Sequence, residues 1–316
     1  MARSTSSKVA VPGTSVAEGP PRSTAVNLLL SVRPEQWTKN LLVFAGLLFG
    51  LKLFNLPAVF AASGAFIIFC ALSGAIYLIN DVSDRESDRQ HPLKARRPIA
   101  SGAISTFTAI ATAIVLVLAG LAAAFGINVR FGVVAAAYVT LQALYSGPLK
   151  HLVIIDVLTI AAGFVLRAVA GAEVVNVDIS HWLLVCTILL ALFIALAKRR
   201  HELTLLADGA TSHRPILSEY SPYLLDQMIS VVTASTLIAY IFYTISPETQ
   251  QKFGTPWLGL TIPFPLYGIF RYLYLVHQRK GGGSPAELLL TDRPLLACVA
   301  LWAVLVTLII YRPSIL

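Results

Sequence analysis

Three aspartates stand at helical spacing in a chain otherwise poor in charge. Asp81, Asp84 and Asp88 belong to the run Asn80-Asp-Val-Ser-Asp-Arg-Glu-Ser-Asp88, and on a helix residues three and four apart share a face. Such a row of carboxylates repels itself unless cations sit on it. Lys94, Arg96 and Arg97 follow in the same loop and would draw an anion to the same place. Mg²⁺ takes one or two carboxylates and completes its octahedron with water and phosphate oxygens. Asn80, Asp81, Asp84 and Asp88 are therefore candidate Mg²⁺ ligands, and Lys94 and Arg97 are candidate contacts to a diphosphate whose departure the metal would assist. The competing reading is a solvated helix end balanced by Arg85 and Arg89. Aspartates at helical spacing that give way to a basic run favour the metal.

Four further groups of polar residues could contact a substrate. Gln36, Lys39 and Asn40 are at i, i+3 and i+4, a polar stripe at the start of an apolar segment. Such a stripe is costly near lipid unless it faces a cavity or a partner; the alternative is a lysine snorkelling to the headgroups, with Trp37 as an interfacial anchor. Tyr145 and Lys150 close another apolar run and are candidate phosphate contacts. Asp156 and Arg167 lie inside the next one, three turns apart, so each needs a partner on another helix or on a ligand. Lys198, Arg199 and Glu202 end a sixth run; the macrodipole and topology alone would also favour cations there. His91, ahead of Pro92, reads as a loop-shaping residue rather than a base.

Composition names the scaffold that must position these groups. The chain has 316 residues, 56% of them hydrophobic and 13% charged, with a mean hydropathy of +0.74. Runs of about 20 apolar residues cross a ~30 Å hydrocarbon core. Nine are read, at 36–54, 58–80, 104–126, 129–147, 153–172, 181–198, 227–246, 257–277 and 294–312. They are continuous rather than alternating, so the expected fold is all-α, a polytopic membrane helical bundle of about nine transmembrane helices. Lys and Arg concentrate in the N-terminal tail and the loops on its side, leaving Lys52, Arg130, Lys252 and Arg312 opposite. The positive-inside rule then places the N-terminus in the cytoplasm and the C-terminus outside the cell (inner) membrane. The net charge of +8 is a topology signal, and no nucleic-acid footprint remains. Residues 1–26 read as a disordered cytoplasmic tail and 27–316 as one membrane domain. Cys70, Cys186 and Cys298 fall in apolar runs and read as inert thiols. A homo-oligomer is left open.

Taken together the motifs resemble the UbiA-type prenyltransferase superfamily. The resemblance rests on Asn80-Asp-x-x-Asp84-x-x-x-Asp88 between the second and third spans. Four further motifs look like its decaprenyl-phosphate phosphoribosyltransferase branch: Arg33-Pro-x-Gln-Trp-x-Lys-Asn40, His91-Pro-x-Lys94-x-x-Arg97-Pro-Ile-Ala-x-Gly102, Lys198-Arg-x-x-Glu-Leu203 and Asp292-Arg-Pro-Leu-Leu. The superfamily's prenyl-diphosphate enzymes carry a second Asp-rich motif after span six, where this chain has Lys198-Arg-Arg-His-Glu202. A cationic site there suits a lipid monophosphate. The resemblance thus implies phosphoribosyl diphosphate as donor, a polyprenyl phosphate in the membrane lipid as acceptor, and Mg²⁺ as cofactor. Two alternatives are a prenyl transfer onto an aromatic acceptor and transport of an anionic solute. The missing second Asp motif speaks against the former; clustering of polar residues at one face speaks against the latter.

Overall fold

The computed structural model describes residues 23–90, 94–207, 215–278, 288 and 291–315, and among them every regular element is helical. The helices are α1 (Thr24–Ser31), α2 (Ala45–Phe49), α3 (Leu56–Ser83), α4 (Arg85–Gln90), α5 (Thr106–Ile127) and α6 (Val129–Ser146). They continue with α7 (Ile155–Val174), α8 (His181–Ala207), α9 (Pro222–Ile245), α10 (Pro247–Phe253), α11 (Pro263–Gln278) and α12 (Arg293–Ile315). Seven of them, α3, α5, α6, α7, α8, α9 and α12, are long and apolar enough to cross a membrane. The protein is an integral membrane protein with a polytopic helical bundle.

Local sequence sets the helix starts. Asn55, Ser105, Asn128, Ser221 and Ser246 each cap a helix with a side-chain oxygen that accepts a backbone N–H, satisfying a donor the first turn leaves orphaned. Burial then sorts the helices. The apolar windows of α3 and α7 are each 56% buried, against 17% in α5 and 22% in α6, so α3 and α7 form the centre. Phe107, Ile114, Val115 and Leu118 on α5 are exposed, as befits a lipid-facing surface.

Two of the nine expected spans are broken. The stretch 36–54 becomes a 3₁₀ segment, Pro34–Phe44, running into the short α2. Arg33 precedes a proline, which keeps it out of the right-handed helical region, and it turns left-handed at φ 53°. The segment wedges against α7: a Cβ on Gly171 would lie 1.8 Å from the Val43 carbonyl oxygen, and one on Gly46 would meet the Ala172 backbone at 2.7 Å. Only glycine permits that approach, and it buries Val43 and Asn40 completely. The stretch 257–277 likewise opens with a 3₁₀ turn, Trp257–Thr261, because Pro263 and Pro265 lack the N–H a continuous helix needs.

The expected tail reaches into described structure at its end, since Ser23 caps α1 from Thr24; residues 1–22 lie outside the described residues. So does His91. Cys70 and Cys298 are buried, Cys186 is half-buried, and all three are free thiols.

Candidate active site

The helices alternate in direction, and this brings the end of α3, the ends of α6 and α8 and the start of α7 to one end of the bundle. Asp81, Asp84, Asp88, Tyr145, Lys150, Asp156, Lys198, Arg199 and Glu202 meet at that end, whereas Arg167 lies three turns further along α7 with Asn40 as a partner. The Asp row does not run along one uninterrupted helix. α3 stops at Ser83, Asp84 is its C-cap at φ −91°, ψ 7°, and α4 resumes at Arg85. The break aims the three carboxylates differently. Asp81 and Asp88 are both buried and share one nitrogen of Arg97, Nη1, at 3.2 and 2.6 Å. Asp81 also pairs with Arg33, whose guanidinium lies 4.8 Å over the Tyr77 ring. Asp84 is half-exposed and faces Lys150 Nζ at 3.7 Å, tying this loop to the α6–α7 connection.

The counter-ions of the competing reading, Arg85 and Arg89, bond elsewhere. Arg85 donates to the Thr106 hydroxyl, and Arg89 donates to the Ala100 carbonyl and to Glu86. Arg33, Arg97 and Lys150 neutralise the aspartates instead.

Among the described residues no three His, Cys, Asp or Glu side chains converge as a ready cation cage. The donor set nevertheless fits Mg²⁺. Two buried carboxylates already straddle a single cationic nitrogen, and Mg²⁺ asks the protein for no more than one or two such ligands.

Beneath this cluster a second network crosses the bundle centre. Arg167 Nε donates to Asn40 Oδ1 at 2.7 Å, Nη2 to the Tyr138 hydroxyl at 2.8 Å and Nη1 to the Gly163 carbonyl at 2.8 Å. Its guanidinium also stacks 4.7 Å from the Tyr138 ring centroid. Asn40 Nδ2 donates to Ser73 and to the Cys70 sulfur. Arg167 and Asn40 thus hold the 3₁₀ wedge to α7 and α3, and Lys39 rides on that wedge with Gln36. On the same wedge, Trp37 Nε1 and Thr38 Oγ1 are buried with no partner among the described residues, while the Trp37 side chain as a whole is half-buried.

A third network lies where α7 starts and α8 ends. Arg199, with 2% of its side chain exposed, donates from Nε to Asp156 at 2.9 Å, from Nη1 to Glu202 at 2.7 Å and from Nη2 to the Tyr145 hydroxyl at 3.2 Å. Asp156 is fully buried and takes a second bond from the Tyr220 hydroxyl at 2.8 Å. Asp156 and Arg167, three turns apart on α7, thus each find partners on other elements. Arg199 is held through all three of its side-chain nitrogens by protein groups, so it orients Tyr145 and Glu202. Lys198, 43% exposed and 4.0 Å from Glu202, is the more accessible cation.

Arg33, Tyr77, Tyr138 and Tyr220 belong to these networks without having been assigned a role from the sequence. Arg33 sat inside a quoted motif; the tyrosines had no local signal, because their partners are distant in the chain. Asp292 proves structural: it caps α12 through the Leu295 N–H and pairs with Arg271 at 2.8 Å, contacts that hold its carboxyl below the usual range, the Arg271 hydrogen bond foremost. A cavity of about 300 Å³ lies at the opposite end of the helices, among Asp178, His181, Glu248 and Lys252, away from the carboxylate cluster.

Membrane-length helices with ionisable side chains gathered at one end describe an integral membrane protein with a polar site at one face. Residues 40–291 match the model of the UbiA prenyltransferase family, and the chain belongs to that family. It is 32% identical over 297 residues to decaprenyl-phosphate phosphoribosyltransferase of Mycolicibacterium smegmatis, covering 90% of this chain and 92% of that one. The enzyme of the same name from Corynebacterium glutamicum is 31% identical, over 92% and 89% of the two chains. The fold resembles that of a UbiA homologue from Archaeoglobus fulgidus bound to DMAPP and Mg²⁺, with a TM-score of 0.68, 20% identity, and coverage of 90% of this chain and 99% of that one.

Proposed function

We propose that the protein transfers 5-phosphoribose from phosphoribosyl diphosphate to a polyprenyl phosphate, releasing diphosphate, at the cytoplasmic membrane face. The observation that carries this reading is the pairing of two unlike zones at one end of the bundle. One holds Asp81, Asp88, Arg33 and Arg97; the other presents Lys198 where a second acidic motif would otherwise stand, and Lys150 faces Asp84 from the α6–α7 connection. The names of the relatives from M. smegmatis and C. glutamicum support the same assignment.

Asn80, Asp81, Asp84 and Asp88 would hold Mg²⁺, which when bound neutralises the diphosphate and makes it a better leaving group. Arg33, Arg97 and Lys94 donate to the diphosphate oxygens; guanidinium groups suit that planar, bidentate recognition. Lys39, Lys150 and Lys198 orient the acceptor phosphate, with Gln36 beside Lys39, while the isoprenoid stays among the helices. An acceptor phosphate oxygen forms the new bond to ribose C1 as the C1–O bond to diphosphate breaks, its electron pair leaving with the diphosphate. The acceptor is already anionic, so no side chain has to remove a proton. Much of the acceleration comes from holding a soluble donor and an insoluble acceptor in one orientation. Tyr145, Asp156, Arg167, Arg199 and Glu202 support these contacts.

The test is incubation of the purified protein in lipid with labelled phosphoribosyl diphosphate and polyprenyl phosphate, and in parallel with a prenyl diphosphate and an aromatic acceptor. Mass spectrometry of extracted lipid should show phosphoribosylated polyprenyl phosphate in the first arm alone. Product only in the second arm would assign the chain to prenyl transfer.

A further inference from the structure

The entry of α7 is held in a conformation its own sequence resists. Ile154 sits at φ 69°, ψ −42°, and a β-branched residue at positive φ is an outlier. Such backbone persists only where its surroundings over-determine it, and it concentrates at functional sites. Here the surroundings are Tyr220, on the segment that leads from α8 to α9. The Ile154 N–H donates to the Tyr220 hydroxyl at 2.7 Å, and that hydroxyl donates to Asp156 Oδ1 at 2.8 Å. Tyr220 is 4% exposed and packs in the core formed by Val157, Leu196, Ile216 and Leu225. Its hydroxyl pKa is pushed up to about 12, burial being the main cause, so it stays a proton donor across the physiological range.

The clamp reaches the polar end of the bundle by two routes. Asp156 uses its other oxygen to fix Arg199, which orients Tyr145 and Glu202, and Glu202 lies beside Lys198. Upstream, Ile154 stands three residues past the turn Leu149–His151 that carries Lys150. We infer that Tyr220 is a positioning residue: its hydroxyl, bonded at once to the Ile154 amide and the Asp156 carboxylate, pins the α7 entry and so places Lys150 and Lys198 for the acceptor phosphate. The acceptor role of those lysines rests on the function proposed above; the clamp does not.

The experiment uses the full chain in lipid nanodiscs as wild type, Tyr220→Phe, Ile154→Gly and the double variant. Hydrogen exchange at the Ile154 amide reads the clamp independently of turnover, and KM for decaprenyl phosphate and for phosphoribosyl diphosphate reads the positioning. Tyr220→Phe keeps the buried ring and should exchange that amide at least about 10-fold faster. It should raise KM for decaprenyl phosphate about 10-fold, with kcat and the donor KM within about twofold, as loss of one buried hydrogen bond implies. Glycine accepts positive φ without a Cβ clash. The double variant should therefore recover most of the acceptor KM, and it stays measurable if the single variant assembles poorly. Unchanged amide protection in Tyr220→Phe overturns the clamp. Fast exchange with a wild-type acceptor KM, or a KM defect that Ile154→Gly leaves in place, overturns the positioning role. No transfer by the wild type would sink the function proposed above and the positioning role with it, while exchange would still decide the clamp.

Discussion

Asp81 is shared by two guanidinium groups, whereas Asp84, half-exposed, faces the ammonium of Lys150 at 3.7 Å. The two aspartates therefore differ in what their removal does. Asp81→Asn leaves Arg33 and Arg97 without their shared partner and removes a ligand from the donor site. Turnover should fall on the order of 100-fold or more, the scale of losing a preorganised electrostatic contact. Asp84→Asn should lose activity with normal expression, because its neighbours are solvated. Lys198→Ala should raise KM for the polyprenyl phosphate about 10-fold and leave donor KM within twofold, since one charge-assisted bond is lost. Equal loss for both substrates in steady-state kinetics would reassign the lysine. At this scale the sequence was informative about residue types and poor about pairing. Helical spacing put Asp81 and Asp88 together, but nothing local could say that Asp84 would face Lys150 or that Arg33, 48 residues away, would neutralise Asp81.

The 3₁₀ wedge Pro34–Phe44 and α7 meet at glycine, the closest approach at any glycine among the described residues. A methyl group at Gly171 would stand 1.8 Å from the Val43 carbonyl, so wedge or helix must shift. Gly171→Ala should destabilise the protein by about 1–3 kcal/mol or more, the usual range for overpacking, read as a lowered unfolding temperature in detergent. Truncating Asp156 leaves the nearly solvent-free Arg199 with Glu202 as its remaining carboxylate, so the loss should stay at or below the about 3–5 kcal/mol of breaking a buried pair outright. Periodicity located the seven long helices because their apolar runs are uninterrupted. It missed the breaks in the 36–54 and 257–277 runs, where Pro34, the polar residues of the wedge, and Pro263 with Pro265 override an apolar average.

Across the whole molecule, the ionisable groups form ties at one end that hold otherwise lipid-facing helices in register. Arg200 on α8 pairs with Asp226 on α9, His277 of α11 reaches the same carboxylate, and Arg271 on α11 pairs with Asp292 at α12. The Asp292 carboxyl is held below its ordinary value, so its contribution is present above the unfolded carboxylate range and lost as pH falls through the folded value. Asp292→Asn should lower the unfolding temperature by a few degrees at neutral pH, and the gap to wild type should close in acid. The bundle and its polar end were legible in hydropathy and charge. The long-range tyrosine contacts were not, since aromatic residues in apolar runs look alike until the helices pack. The account stands on carboxylates at this end binding a metal-loaded diphosphate, and calorimetry of phosphoribosyl diphosphate binding with and without Mg²⁺ tests that most directly. Wild type should bind the donor tightly only with Mg²⁺, and Asp81→Asn and Asp88→Asn should lose that dependence. Undiminished Mg²⁺-dependent binding in both variants would contradict it.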